Sequence, residues 1–305
     1  MERLPVIFIF DLDRTLIGDP AHIVDYQNTI EFIKQARLSN KITADELSDA
    51  EFKALPSWKD LFVPEFFRPG LKEALENIRK YYPTAEFFIY SAGDEKYVRS
   101  MVDIVEKHID FKFNRPLFSR TECPTNEANQ FAKSIVARYP KIIQTLSQLD
   151  RYASVNLYER TEEIMENRLI FIDDVDFVWD RKEKWIQCPA YNYRPMFDID
   201  DRILRLIHRL PIVQEYLRSS EANKTLYIHE QKDFSYDEYR MNYHLFMANL
   251  YREHNVKNQT DHSKDTFMSR FVKAIQPYRA RAKPFNAKTL AVIKKEVGAG
   301  AAAKA

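Results

Sequence analysis

Three short runs of apolar residues stand out along the 305-residue chain: VIFIF at 6–10, FFIY at 87–90 and LIFI at 169–172. Each is short for a helix, rich in β-branched and aromatic side chains, and apolar at every position. That is the pattern of a parallel strand covered on both faces. Between the runs the period changes. After Arg68-Pro69-Gly70, the stretch LKEALENIRKYY sets Leu71, Leu75 and Ile78 at helical spacing, and Tyr97, Met101, Ile104 and Val105 repeat it. Strands alternating with helices predict an α/β fold built on a doubly wound parallel sheet.

Each apolar run ends in a polar residue: the first at Asp11 and Asp13, the second at Ser91, the third at Asp173 and Asp174. Ligands of open α/β sheets bind beyond the carboxyl ends of the strands. A single acidic pair there could equally cap a helix, but capping does not explain three strands ending alike. Four carboxylates brought together repel one another and gain protons unless a cation holds them. Oxygen ligands of this kind suit Mg2+, and an aspartate can attack phosphorus while a hydroxyl and a lysine neutralise the transferring oxygens. The pattern is that of a phosphoryl-transfer site.

Composition narrows the reading further. The formal charge is +1 with a pI near 7.7, so no overall basic field points to nucleic acid. Two cysteines, Cys123 and Cys188, make no disulfide framework, the seven histidines lack metal-ligand spacing, and the start of the chain does not resemble a secretory signal. The expectation is an intracellular protein without membrane association. None of the five glycines forms a GxGxxG or GxxxxGK loop, which argues against dinucleotide- or Walker-type nucleotide binding.

The order DxDxT, Ser, Lys, Asp-Asp resembles the haloacid dehalogenase superfamily, and further motifs resemble one branch of it, the RNA polymerase II C-terminal-domain phosphatases and their NLI-interacting-factor-like relatives. Asp11-Leu12-Asp13-Arg14-Thr15-Leu16 is similar to that family's DLDxTL, and Arg68-Pro69-Gly70 to its RPG. Ser91-Ala92-Gly93 with Tyr97 corresponds to a Thr-Ala-Ser and a tyrosine, Phe118-Ser119-Arg120 and Lys133-Ser134-Ile135 to its Ser-Arg and Lys elements, and Asp173-Asp174 with Val178-Trp179 to Asp-Asp followed by Val-Trp.

The resemblance implies a nucleophile at Asp11 and a general acid and base at Asp13. It further implies hydroxyls from Thr15 and Ser91, charge compensation by Lys133, and Mg2+ held by Asp11, the Asp13 carbonyl and Asp174, with Asp173 orienting lysine or water. Lys141 rivals Lys133 for the lysine role. Arg120 and Arg14 are candidates for binding substrate, although Arg14 departs from the family's usual Glu, His or Gln and reads equally as a loop charge. The implied substrate is a phosphoserine or phosphothreonine protein. A small-molecule or nucleotide phosphatase, or a phosphatase-like scaffold, are the alternatives.

The expected organisation is a catalytic domain over 1–214 with helical inserts at 18–66 and 136–167, an appended helical unit at 215–270, and a basic, largely disordered tail at 271–305. Asp198, Asp200 and Asp201 read as the acidic start of a helix. Ser235 with Glu238 reads as a capping box opening a helix whose aromatic face carries Tyr236, Tyr239, Tyr243, Phe246 and Leu250. The tail suits a polyanion or an acidic partner, or simply solubilises the chain.

Overall fold

The structure is a computed structural model and describes residues 4–56, 62–124, 132–194, 201–219, 235–257 and 264–302. Its sheet has four parallel strands in the order β2-β1-β3-β4, with β1 at Val6–Phe10, β2 at Ala85–Ile89, β3 at Leu169–Asp173 and β4 at Trp185–Gln187. The chain leaves β1 to build β2 on one side and returns to build β3 on the other. This reversal opens a crevice at the carboxyl ends of the central strands, where the acidic residues stand. The three-residue β4 is too short to leave a period in the sequence.

Both faces of β1 are buried, and different helices cover them. On one face Ile7, Ile9, Phe88 and Phe171 pack with Ile135, Tyr139, Ile142, Ile143 and Leu146 of α5 (Ile135–Ser147) and with Ile164 of α6 (Thr161–Asn167). On the other, Phe8 stacks with Phe87 at 5.6 Å between ring centroids and meets Phe285 at 5.6 Å and Phe271 at 6.4 Å. Between strands 1 and 2 lies α3 (Leu71–Tyr81), entered through Gly70, whose φ of 72° is left-handed and favours glycine. α4 (Glu95–Ile109) follows β2 and is capped by Asp94, which accepts from the Tyr97 backbone NH.

The expected basic tail is corrected here. Within residues 267–302 the chain forms α10 (Phe267–Ile275) and α11 (Ala287–Ala302), with Phe271, Ile275, Leu290, Ile293 and Val297 buried on them and Phe285 buried between them. α10 lies against α3 and α11, and the Tyr82 hydroxyl donates to the Ile275 carbonyl at 2.6 Å. The basic side chains share these helices with an apolar face, and that face supplies the cover that the Phe8 side of the sheet requires.

The chain divides into two compact units, a division that also differs from the expected one. The first combines residues 1–18, 67–192 and 261–305; the second combines 19–66 with 193–260. The insert at 18–66 and most of the helical segment at 215–270 thus belong to one body, because their apolar faces bury each other. α1 (Ala21–Leu38) packs with α8 (Pro211–Ser219) through Phe32 and Tyr216, stacked at 4.0 Å, and α7 (Asp201–Arg209) packs with α9 (Tyr236–Lys257). Ser235 and Glu238 make the capping bonds at the start of α9. The buried stripe of α9 is Tyr239, Tyr243, Met247 and Tyr251, whereas Phe246, expected on that face, is exposed. Asp201 begins α7, whereas Asp198 and Asp200 lie outside the described residues. Among the described residues, no helix is long and apolar enough to cross a membrane.

If α10 and α11 cover the sheet, Phe285→Ala should lower folding stability by roughly 3–5 kcal/mol, the usual cost of removing a buried phenyl ring, as measured by chemical denaturation. A loss below about 1 kcal/mol, the range of an exposed position, would mean that the segment is peripheral.

Candidate active site

Asp11 follows β1 directly, and its NH donates to the Ile172 carbonyl at 2.9 Å, so the residue is fixed between two strands. Asp173 ends β3 and Asp174 follows it. Carboxylate oxygens of Asp11, Asp173 and Asp174 lie within 4.8 Å of one another, and all three residues are buried. Lys133 reaches into this group: its Nζ donates to Asp11 Oδ1 at 2.5 Å and to Asp173 Oδ2 at 2.8 Å. The other Asp173 oxygen accepts from the Val175 NH at 2.9 Å. Lys141, by contrast, is exposed on α5.

The electrostatics follow from burial and from crowding. Asp173 is pushed up to about 7 by burial and by the charge of Asp11, against the pull of Lys133. Asp174 is pushed up to about 6 by the same two causes, with Arg14 and Lys133 opposing them. Burial alone would favour neutral Lys133, but Asp11 and Asp173 outweigh it and hold its pKa above the ordinary lysine value. Lys133 offers a single positive charge to three carboxylates, so the cluster retains an excess of negative charge. A buried, oxygen-only donor set with that excess fits a hard divalent cation such as Mg2+. Asp11 and Asp174 would hold it, since Asp173 already accepts bonds at both oxygens.

Asp13 is not one of these three acids. Its side chain is half-buried and accepts a hydrogen bond from the Tyr97 hydroxyl. Tyr97 comes close because residue 93 is glycine: a Cβ there would lie 2.6 Å from Tyr97 Cδ1. The side chain of Ser91 is buried, with its Oγ accepting from the Gly93 NH at 3.0 Å. Arg120 is exposed, and it docks on the same loop through bonds to the Ala92 and Gly93 carbonyls at 2.8 and 2.7 Å. Thr15 is buried with its hydroxyl 3.5 Å from Cys188 Sγ, a placement suited to ordering the loop after β1.

Sequence reasoning placed Arg68 in an Arg-Pro-Gly motif but missed that it holds that loop. Arg68 is 1% exposed. Its guanidinium donates to the Thr15 carbonyl at 3.0 Å and the Pro189 carbonyl at 2.7 Å, while Asp265 accepts from its Nε and Nη2 at 3.2 and 2.8 Å. The planar fork serves a carboxylate on one side and loop carbonyls on the other, a task that lysine cannot perform. The loop needs such support because Arg14 has a left-handed φ of 57°. An arginine ahead of Pro-Gly reads locally as a turn residue, and Asp265 is 197 positions away.

A parallel α/β sheet with an aspartate pair after its first strand, and a lysine bridging acids from strands 1 and 3, is the arrangement of haloacid dehalogenase-type phosphatases. A family model of NLI interacting factor-like phosphatases matches residues 6–225, and the chain belongs to that family. Among solved structures, the chain is similar to a variant of the fission yeast RNA polymerase II CTD phosphatase Fcp1 bound to beryllium fluoride, with 16% identity, TM-score 0.33, and coverage of 84% of this chain and 66% of that one. A second structure, of Fcp1 described as an essential RNA polymerase II CTD phosphatase, has 18% identity, TM-score 0.33, and coverage of 86% and 67%. A phosphoserine phosphohydrolase-like protein from Francisella tularensis has 16% identity, TM-score 0.30, and coverage of 60% and 87%. The chain thus spans about two thirds of the length of the two Fcp1 chains. No curated protein matches it in sequence.

The raised acid pKa values carry a signed consequence. An aspartate whose pKa is raised on folding binds a proton in the native state where the unfolded chain has released it. Its contribution to stability therefore falls as pH rises from the ordinary aspartate range through about 6 to 7. In metal-free protein, Asp174→Asn should raise Tm by roughly 2–4 °C near pH 8 and by much less near pH 4.5, and it should abolish the further rise that Mg2+ gives the wild type. A Tm change equal at both pH values, or an undiminished response to Mg2+, would contradict the cluster's electrostatics.

Proposed function

We propose that the protein is a Mg2+-dependent phosphatase that works through an aspartyl-phosphate on Asp11 and acts on phosphoserine or phosphothreonine in proteins. The observation that carries the chemistry is the buried group of Asp11, Asp173 and Asp174 bridged by Lys133 at the carboxyl ends of β1 and β3. Membership of a phosphatase family that includes residues 6–225 supports the reaction class. The protein-substrate reading rests on the motif resemblance around Arg68, Arg120 and Lys133.

In this reading an Asp11 carboxylate oxygen attacks phosphorus and the bond from phosphorus to the serine or threonine oxygen breaks. Asp13 gives its proton to the departing alkoxide, which is a poor leaving group without one. Water then attacks the aspartyl-phosphate, Asp13 takes its proton, and phosphate leaves with Asp11 restored. Lys133 holds Asp11 in position and offsets the charge that accumulates on the transferring oxygens. Ser91 and Arg120 would bind the phosphoryl oxygens. When bound, Mg2+ would supply positive charge against the phosphate and the acids.

Asp11→Asn should abolish turnover of both a phosphopeptide and an aryl phosphate, with circular dichroism unchanged. Asp13→Asn should depress the phosphopeptide rate about tenfold or more beyond its effect on the aryl ester, because general acid catalysis is worth roughly 100- to 10,000-fold where the leaving group needs a proton. Equal losses on the two substrates would remove Asp13 from the acid role. A panel in which sugar or nucleotide phosphates have higher kcat/KM than phosphopeptides would overturn the protein-substrate reading.

A further inference from the structure

Beyond Asp174 the chain runs Val175-Asp176-Phe177-Val178-Trp179, and here two large aromatic side chains face solvent beside the acids. Trp179 is 65% exposed and Phe177 47%, whereas Val178 between them is buried. In an extended stretch alternate residues point to opposite sides, so burial of Val178 turns Phe177 and Trp179 outward together. The stretch is not loose. The Lys133 NH donates to the Phe177 carbonyl at 2.7 Å, and the Trp179 NH donates to the Lys133 carbonyl at 3.2 Å. At its far end Asp180 accepts from Ser134 Oγ and from the Ile135 NH, capping α5.

The same lysine whose ammonium bridges Asp11 and Asp173 therefore fixes the aromatic pair through its backbone. Val136, in the first turn of the capped helix, is 45% exposed and adds an apolar group. The neighbouring charges Asp176 and Lys182 are paired at 3.0 Å, so they do not recruit an ionic group to this face. Exposed aromatics held rigidly are a poor choice for mere solubility and a good one for binding.

We infer that Phe177 and Trp179 form a platform for an apolar side chain of a phosphopeptide substrate, one to three residues from the phosphorylated position. This rests on the protein-phosphatase reading above. The reach follows from chain geometry. Phe177 lies three positions beyond Asp174, at most about 11 Å along the chain, which is the span of about three residues of an extended peptide leaving the phosphoryl site. Burying one leucine-sized side chain against the platform corresponds to a preference of about tenfold or more.

The test measures kcat/KM for phosphoserine peptides carrying leucine or alanine at each of the three positions on either side of the phosphoserine, with an aryl phosphate and a nucleoside monophosphate alongside. Full-length wild type, Trp179→Ala, Trp179→Phe and Phe177→Ala are compared. The wild type should prefer leucine about tenfold at one position, through KM rather than kcat; Trp179→Ala should erase that preference and Trp179→Phe should restore most of it. A leucine preference that survives in Trp179→Ala, or a uniform loss on all substrates, would overturn the platform while leaving the phosphatase reading intact. So would a dimer in sedimentation velocity that Trp179→Ala dissociates, since the face would then belong to a second copy. Turnover of the aryl or nucleoside phosphate with no peptide hydrolysed would instead remove the protein-substrate reading, and the platform with it.

Discussion

Lys133 donates to Asp11 at 2.5 Å and to Asp173 at 2.8 Å inside the protein, and much of the fold can be understood as what that contact requires. Buried charges cost several kcal/mol each to desolvate and persist only when paired in good geometry. The parallel sheet fixes one acid at the end of β1 and another at the end of β3. The segment at 175–180 fixes the lysine by bonding its backbone on both sides. Even so the lysine cannot neutralise three acids, and that residual negative charge suits the cluster to a cation.

The second constraint is the loop between Asp11 and Gly18, which must turn sharply with Arg14 in a left-handed conformation. Arg68 supports its carbonyls, and Asp265 in turn pairs with Arg68. Asp265 lies beyond the family-matched residues 6–225, as do Phe271 and Phe285, which cover Phe8 on β1. The C-terminal segment thus serves the candidate site twice, by covering the strand that delivers Asp11 and by completing the arginine network behind it.

The central strands and their terminal acids were legible because a strand buried on both faces is written as an uninterrupted apolar run. Helices with strong one-sided patterns, such as Leu71–Tyr81, were legible for a similar reason. What escaped depends on contacts distant in sequence. β4 is three residues long, Asp265 and Arg68 are 197 residues apart, and neither carries a local period. The C-terminal segment was misread because its basic residues hid the apolar spacing of Phe271, Ile275, Leu290 and Ile293. In α9 the aromatic stripe was recognised, yet its buried line runs through Met247 and Tyr251, a choice made by packing against the helices around it.

The most direct test of the central claim is to look for the covalent phosphoryl group. Wild-type protein mixed with excess phosphosubstrate, quenched in acid within milliseconds and digested, should yield an Asp11-containing peptide heavier by one phosphoryl group. That label should be lost on treatment with hydroxylamine, as expected of an acyl phosphate, and should be absent from Asp11→Asn. A phosphoryl group found on another residue, or turnover at full rate with no label trapped under conditions that slow the second step, would contradict the assignment of Asp11 as the nucleophile.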